Sequence, residues 1–355
     1  MALMIGISGP VPSVAAQKAT DSPQVPAVYR PLYDFTGDSR TDFVNVVADV
    51  VGTPITWKAL RNPADPAPNA AFIRVFDWGL VGDSITPQNF SGDSHTEVAV
   101  WRTGNFYISP FPDGPGPMGP LSVVNWGNAA GENVGRDGDY DGDGIDDPTT
   151  VRLSGGLLTW FYKGSTSGPR QIQFGQSIAG RSTLAFQGAD FTGDGRDELV
   201  FCTASTSGAG LNDWWIGDSV TGAIVLHVSN WGSFTTDYFV NPDDYTGDGK
   251  ADIVTFRAGG SGEYAAAWLI RDTATGGLVP PIIFGIADPA FLANDAPIRG
   301  NFDGDNKADI AVWRPSTATY YWINSSNGSI GGQQWGDPLL TADFTEFPIG
   351  TLFTF

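Results

Sequence analysis

The chain has 355 residues, 41% hydrophobic and 12% aromatic, and its 39 acids against 19 Lys+Arg leave a net charge of −20. With 46 Gly and 25 Pro, one residue in five interrupts a helix, and 12% aromatics is too many for an acidic disordered chain, so a mainly helical fold and disorder are both excluded. The charge also argues against nucleic acid or anionic membrane as partners, because Lys and Arg supply that affinity.

The first 17 residues, MALMIGISGPVPSVAAQ, are apolar and uncharged. They resemble the latter part of a secretory signal peptide, with small residues near Ala15 and Ala16. No basic region precedes them and Pro10 and Pro12 interrupt the run, so an ordinary strand or a trimmed gene start are the alternatives. Residues 1–27 are therefore read as an N-terminal apolar segment (signal remnant, clasp or donor strand), and 28–355 as one domain. No apolar run approaches the ~20 residues of a membrane helix. Cys202 is the only cysteine, which rules out an intrachain disulfide.

From residue 34 onward a nine-residue pattern, [DN]-x-[DTS]-G-D-[GSN]-x-x-[DE], occurs six times. The copies start at Asp34, Asn89, Asp139, Asp190, Asp244 and Asn301, at intervals of 55, 50, 51, 54 and 57 residues. Each is followed by a β-prone run (FVNVV, VAVWR, PTTVR, LVFCT, IVTFR, IAVWR). Next comes an aromatic strand with Trp57, Tyr107, Trp160, Trp215, Trp268 or Trp322, and then an aromatic-Gly pair from Trp78-Gly79 to Trp335-Gly336. Four short strands per ~50 residues at fixed phase predict an all-β fold, a β-propeller of four-stranded blades.

Positions 1, 3, 5 and 9 of every loop carry oxygen side chains, and position 7 can add its backbone carbonyl. The predicted ligands are Asp34, Thr36, Asp38, Arg40 and Asp42; Asn89, Ser91, Asp93 and Glu97; Asp139, Asp141, Asp143, Ile145 and Asp147; Asp190, Thr192, Asp194, Arg196 and Glu198; Asp244, Thr246, Asp248, Lys250 and Asp252; and Asn301, Asp303, Asp305, Lys307 and Asp309. Hard oxygen donors in this number suit Ca²⁺, whereas zinc would call for His or Cys. About five to six ions are expected, with the third loop richest and the second, where His95 holds position 7, poorest. The loops are not EF-hands, because position 12 is never Glu and strands follow. A plain Asp-Gly turn is the competing reading of any single copy. The loops hold 20 of the 39 acids, and six Ca²⁺ would bring the net charge to −8.

These loops, with the aromatic-Gly ending, resemble the FG-GAP/VCBS repeats of integrin-α-like propellers, and residues 301–323, NFDGDNKADIAVWRPSTATYYWI, show the resemblance best. It spans about 28–340. It implies calcium in each loop, an extracellular location, and adhesion or ligand binding.

After the sixth unit, Pro348–Phe353 aligns with Pro297–Phe302 at the start of the sixth loop. This reads as the first strand of another unit, with residues 3–8 (LMIGIS) as its second. Seven blades, the seventh split between the termini, are therefore expected, with six as the alternative.

The function expected is a secreted or cell-surface, non-catalytic module that binds a protein or glycan. The alternatives are a structural subunit of a filament or surface layer, associating through terminal strands, and a polysaccharide-active enzyme. Trp57, Trp160, Trp268 and Trp322 read as core. Of the adjacent Trp214 and Trp215 one must face away from it, which makes the pair a candidate ligand platform. His227 reads as a core histidine, and Arg102, Arg257 and Arg314 as partners of the loop acids, with a basic collar in an acidic protein as the alternative.

Overall fold

The computed structural model describes residues 32–62, 73–111, 117–128, 131–177, 182–207, 210–257, 265–287, 295–342 and 345–349. Among them, strands form six four-stranded antiparallel sheets, and helix is confined to two short turns, Pro315–Thr317 and Pro338–Ala342. In the sixth sheet the strands Ala296–Ile298, Ile310–Arg314, Thr319–Ile323 and Ile330–Gln334 pair in chain order. Among the described residues no seventh sheet follows; the ring closes instead.

The molecule is thus a six-bladed propeller, and among the described residues the expected seventh blade is not formed. The terminal strand Glu346–Pro348 pairs with Phe43–Val47 and completes the first blade. Pro348 opposes Asn45 just as Pro297 opposes Val312, so the sequence alignment of the two segments holds, but its inference of a new sheet does not. The physical reason is that Phe43–Val47 offers a free sheet edge, and pairing with it satisfies both backbones without building another sheet. The segment 3–8 that was to complete the seventh blade lies outside the described residues, as does all of 1–27.

Six apolar clusters are distributed around the ring. One joins Phe43 of the first blade to Phe302, Trp313 and Trp322 of the sixth, so the core is continuous across the closure. Another joins Trp57 to Val98 and Val100 of the second blade. Trp57, Trp160, Trp214 and Trp268 are fully buried; the Nε1 of Trp57, Trp160 and Trp268 donates to a carbonyl of its own outer strand (Trp78, Phe174, Phe284), and that of Trp214 to Trp231, in the turn beyond the outer strand Ile224–Val228.

The aromatic-Gly pairs end the outer strands, and they set the blade spacing. Gly79, Gly127, Gly175, Gly232, Gly285 and Gly336 all have φ between +75° and +123°. A Cβ there would come within 2.6–3.1 Å of a residue inside the next blade's second strand: Val100, Thr150, Phe201, Thr255, Val312 and Asn45 in turn. Glycine is required for both the turn and the approach. The indoles of Trp78, Trp126 and Trp335 reach across the same gap to the carbonyls of Tyr107, Phe161 and Lys58.

Candidate metal centres

Each nine-residue loop joins the first and second strands of its blade (in the first blade it enters Phe43–Val47), so all six loops share one rim of the ring. Their carboxylates organise the backbone locally. At position 1, Asp139 accepts the N–H groups of Gly142, Asp143 and Gly144 (2.7–3.1 Å), and Asp190 and Asp244 do the same one and two blades on. The carboxylates at position 9 turn back to positions 2 and 3, as when Asp252 accepts Tyr245 and Thr246. Asp42, Asp147, Asp252 and Asp309 also accept an N–H from beyond the third strand (Asn62, Ser165, Thr273, Ser325), tying the loop to the neighbouring turn. At position 3 the hydroxyls of Thr36, Ser91 and Thr192 face the position-9 carboxylates at 2.8–3.4 Å.

Positions 1, 3 and 9 therefore converge. In the third loop, carboxylate oxygens of Asp139, Asp141 and Asp147 lie within 4.8 Å of one another. Asp141 Oδ1 is buried and accepts no hydrogen bond, while its Oδ2 takes the N–H groups of Thr166 and Ser167. A buried, unmatched carboxylate oxygen facing two more carboxylates is the donor chemistry of a hard cation, so these residues fit one. In the sixth loop the position-3 carboxylate of Asp303 receives the Ser326 hydroxyl, while at position 5 the two loops agree, Asp143 receiving the hydroxyl of Ser165 and Asp305 that of Ser325.

The position-5 carboxylates accept the N–H of position 7, as Asp194 does from Arg196 and Asp248 from Lys250. The position-7 side chains, Arg40, His95, Ile145, Arg196, Lys250 and Lys307, all pack over the position-4 glycine of the preceding blade's loop. Only their carbonyls are left for an ion.

Burial pushes the position-9 acids up: Asp147 and Glu198 to about 8, Glu97 and Asp252 to about 7, Asp309 to about 6, and Asp42 well above the usual range. Asp34 is raised to about 7 by burial and by the charge of Asp38. Between the ordinary value near 4 and these values the ion-free native state holds more protons than the unfolded chain, so its stability falls as pH rises. In chelator, the melting temperature is expected to drop by several degrees between pH 5 and pH 8. A melting temperature that rises with pH in chelator would contradict this electrostatic picture.

Other expected site residues fall elsewhere. Trp214 is fully buried and stacks on Phe186, so it is no platform. Trp215 is half-buried between Phe201 and the imidazole of His227, whose centroid lies 3.7 Å away. His227 itself is exposed rather than a core histidine, because it lies on the outward side of an outer strand whose next residue, Val228, takes the inward place.

Arg102, Arg257 and Arg314 do pair with carboxylates, but not with those of the loops. Each makes two contacts with the acid opposite it just ahead of or at the start of the first strand, namely Asp83, Asp237 and Asp295, and Arg152 pairs likewise with Glu132. The arginines stand at the far end of the second strand from the loop, which puts the loop acids out of reach. In the fourth blade Thr183 and Thr203 hydrogen-bond in the same place. An acid 19 or 20 residues before each arginine was the available signal.

A polar network ahead of the loops also escaped the sequence reading. Gln187 and Asn241 exchange two hydrogen bonds, Arg299 Nε donates to Asp243, and Tyr33 of the first blade meets Gln187 on the opposite, fourth blade. All five residues are buried.

No protein-family model matches the chain, and no curated protein matches it. Among solved structures it is similar to an Agrocybe aegerita lectin that specifically recognises non-reducing terminal N-acetylglucosamine (14% identity, 82% of this chain and 89% of that chain, TM-score 0.47). It is also similar to the Dos1 propeller (10% identity, 86% and 78%, TM-score 0.41). A third similar structure is the WD40 domain of SCAP from fission yeast (9% identity, 79% and 72%, TM-score 0.34).

Proposed function

We propose that the chain is a calcium-binding propeller that works as a secreted or cell-surface, non-catalytic ligand-binding module, with an extracellular protein or glycan as its partner. The observation that carries the metal reading is the convergence of Asp139, Asp141 and Asp147 around an unmatched buried oxygen. The five sister loops repeat its framework, with Thr or Ser replacing Asp at position 3 in four of them. Oxygen-only donors from flexible loop positions favour Ca²⁺ over Mg²⁺, which demands shorter and stricter octahedral contacts. The resemblance to FG-GAP/VCBS repeats supports the same reading and the extracellular assignment.

Within this proposal the ions brace the rim and the partner docks on the assembled ring. The Ca²⁺ would take side-chain oxygens of positions 1, 3, 5 and 9 and the carbonyl of position 7. Equilibrium dialysis of chelator-stripped protein is expected to return five to six Ca²⁺ per chain, and fewer than one would overturn the metal reading. Glycan and extracellular-protein arrays probed in Ca²⁺ and in EGTA are expected to show calcium-dependent capture.

A further inference from the structure

The six loops are not separate sites but links of a closed chain. The N–H at position 8 of each loop donates to the carbonyl at position 1 of the preceding blade's loop. The bonds run Thr96 to Asp34, Asp146 to Asn89, Asp197 to Asp139, Ala251 to Asp190 and Ala308 to Asp244, and Thr41 to Asn301 closes the circle, all at 2.7–2.8 Å. Three junctions carry a second clasp, where Thr41 Oγ1 and the carboxylates of Asp146 and Asp197 accept the N–H groups of Asn301, Asn89 and Asp139. The position-7 side chain then packs on the glycine at which the preceding loop bends.

Position 8 holds no ligand, yet positions 7 and 9 on either side of it do, and position 1 is at once a ligand and the acceptor of the junction. Ordering positions 7–9 of one loop around an ion therefore orders position 1 and the bend of the loop before it. We propose that the loops load Ca²⁺ cooperatively as one coupled ring, each filled loop raising the affinity of its neighbours. This rests on the calcium reading above. Two sites linked through an element that each must order share the ordering cost, and the coupling is reciprocal, of about fivefold or more per junction.

The test is a Ca²⁺ titration of the full-length, chelator-stripped protein by calorimetry and tryptophan fluorescence. A Hill coefficient of about 2 or more is expected in the wild type. Thr41→Val keeps every ligand but removes the acceptor for the Asn301 N–H, and is expected to lower the Hill coefficient and weaken the sixth site several-fold. Asp248→Asn with Asp252→Asn disables the fifth loop, and is expected to weaken the fourth and sixth sites as well as lower the stoichiometry. Sites that fill independently, with a Hill coefficient of 1, overturn the coupling and leave calcium binding standing. A wild type that binds no Ca²⁺ overturns both. Should either variant fail to fold, the wild-type Hill coefficient decides.

Discussion

On the calcium binding proposed above, chelation is expected to lower the melting temperature of the loaded protein by about 20 °C or more. A site held at a hundred times its Kd adds about 2.7 kcal/mol to the folded state, and five or six such sites act on one chain. Each kcal/mol moves the midpoint of a domain this large by about 2 °C. The effect should be large because the loops gather carboxylates in buried places, such as Asp42 and Asp147, where they must either take up protons or repel one another. Scanning fluorimetry on the 12 tryptophans measures it. Equal Mg²⁺ should restore little of the loss, and an unchanged midpoint in EDTA would remove calcium from the account.

Glu346→Ala is expected to destabilise the protein by about 3 kcal/mol and to promote opening at the junction of the first and sixth blades. Glu346 is fully buried. Its Oε2 accepts Lys58 Nζ at 2.8 Å and the N–H of Asp337 at 3.1 Å, and its Oε1 accepts Asn45 Nδ2 at 3.1 Å. Asn45 in turn donates to the carbonyl of Trp335 and accepts the Tyr320 hydroxyl. Removing the carboxylate strands a cation and several donors, which costs far more than an exposed pair would. Truncation after Asp337 should do worse, exposing the edge of Phe43–Val47 and favouring association between molecules. Chemical denaturation measures the first effect and light scattering the second. A Glu346→Ala protein as stable as the wild type would show that the closing strand is held by backbone pairing alone.

Side-chain identity at fixed spacing made the loops readable. An Asp at position 9 serves the turn of its own loop, so Asp42 and Asp252 could be assigned from nine residues of context. The same holds for Trp57, Trp160 and Trp268, whose phase within a strand places them inward whatever the sheet packs against. The tandem Trp214-Trp215 was half readable: alternation requires one to face away from the core, but only the fold shows that His227 and Phe201 cover it. Arg102 and its equivalents were misassigned because the pairing partner depends on which end of the strand the guanidinium reaches, and that is a matter of strand register.

What the sequence by itself determined is the repeating unit: four strands, an acidic loop, a glycine corner, and the chemistry that each loop offers. These follow from local rules, since turn geometry, strand alternation and ligand type act over a dozen residues or fewer. How many units close the circle, which edge the last strand joins, and how each loop grips the one before it were decided only by the tertiary structure. Those choices depend on the angle between packed sheets and on a free edge some three hundred residues away in sequence, between Glu346 and Val47, where no local pattern records the partner.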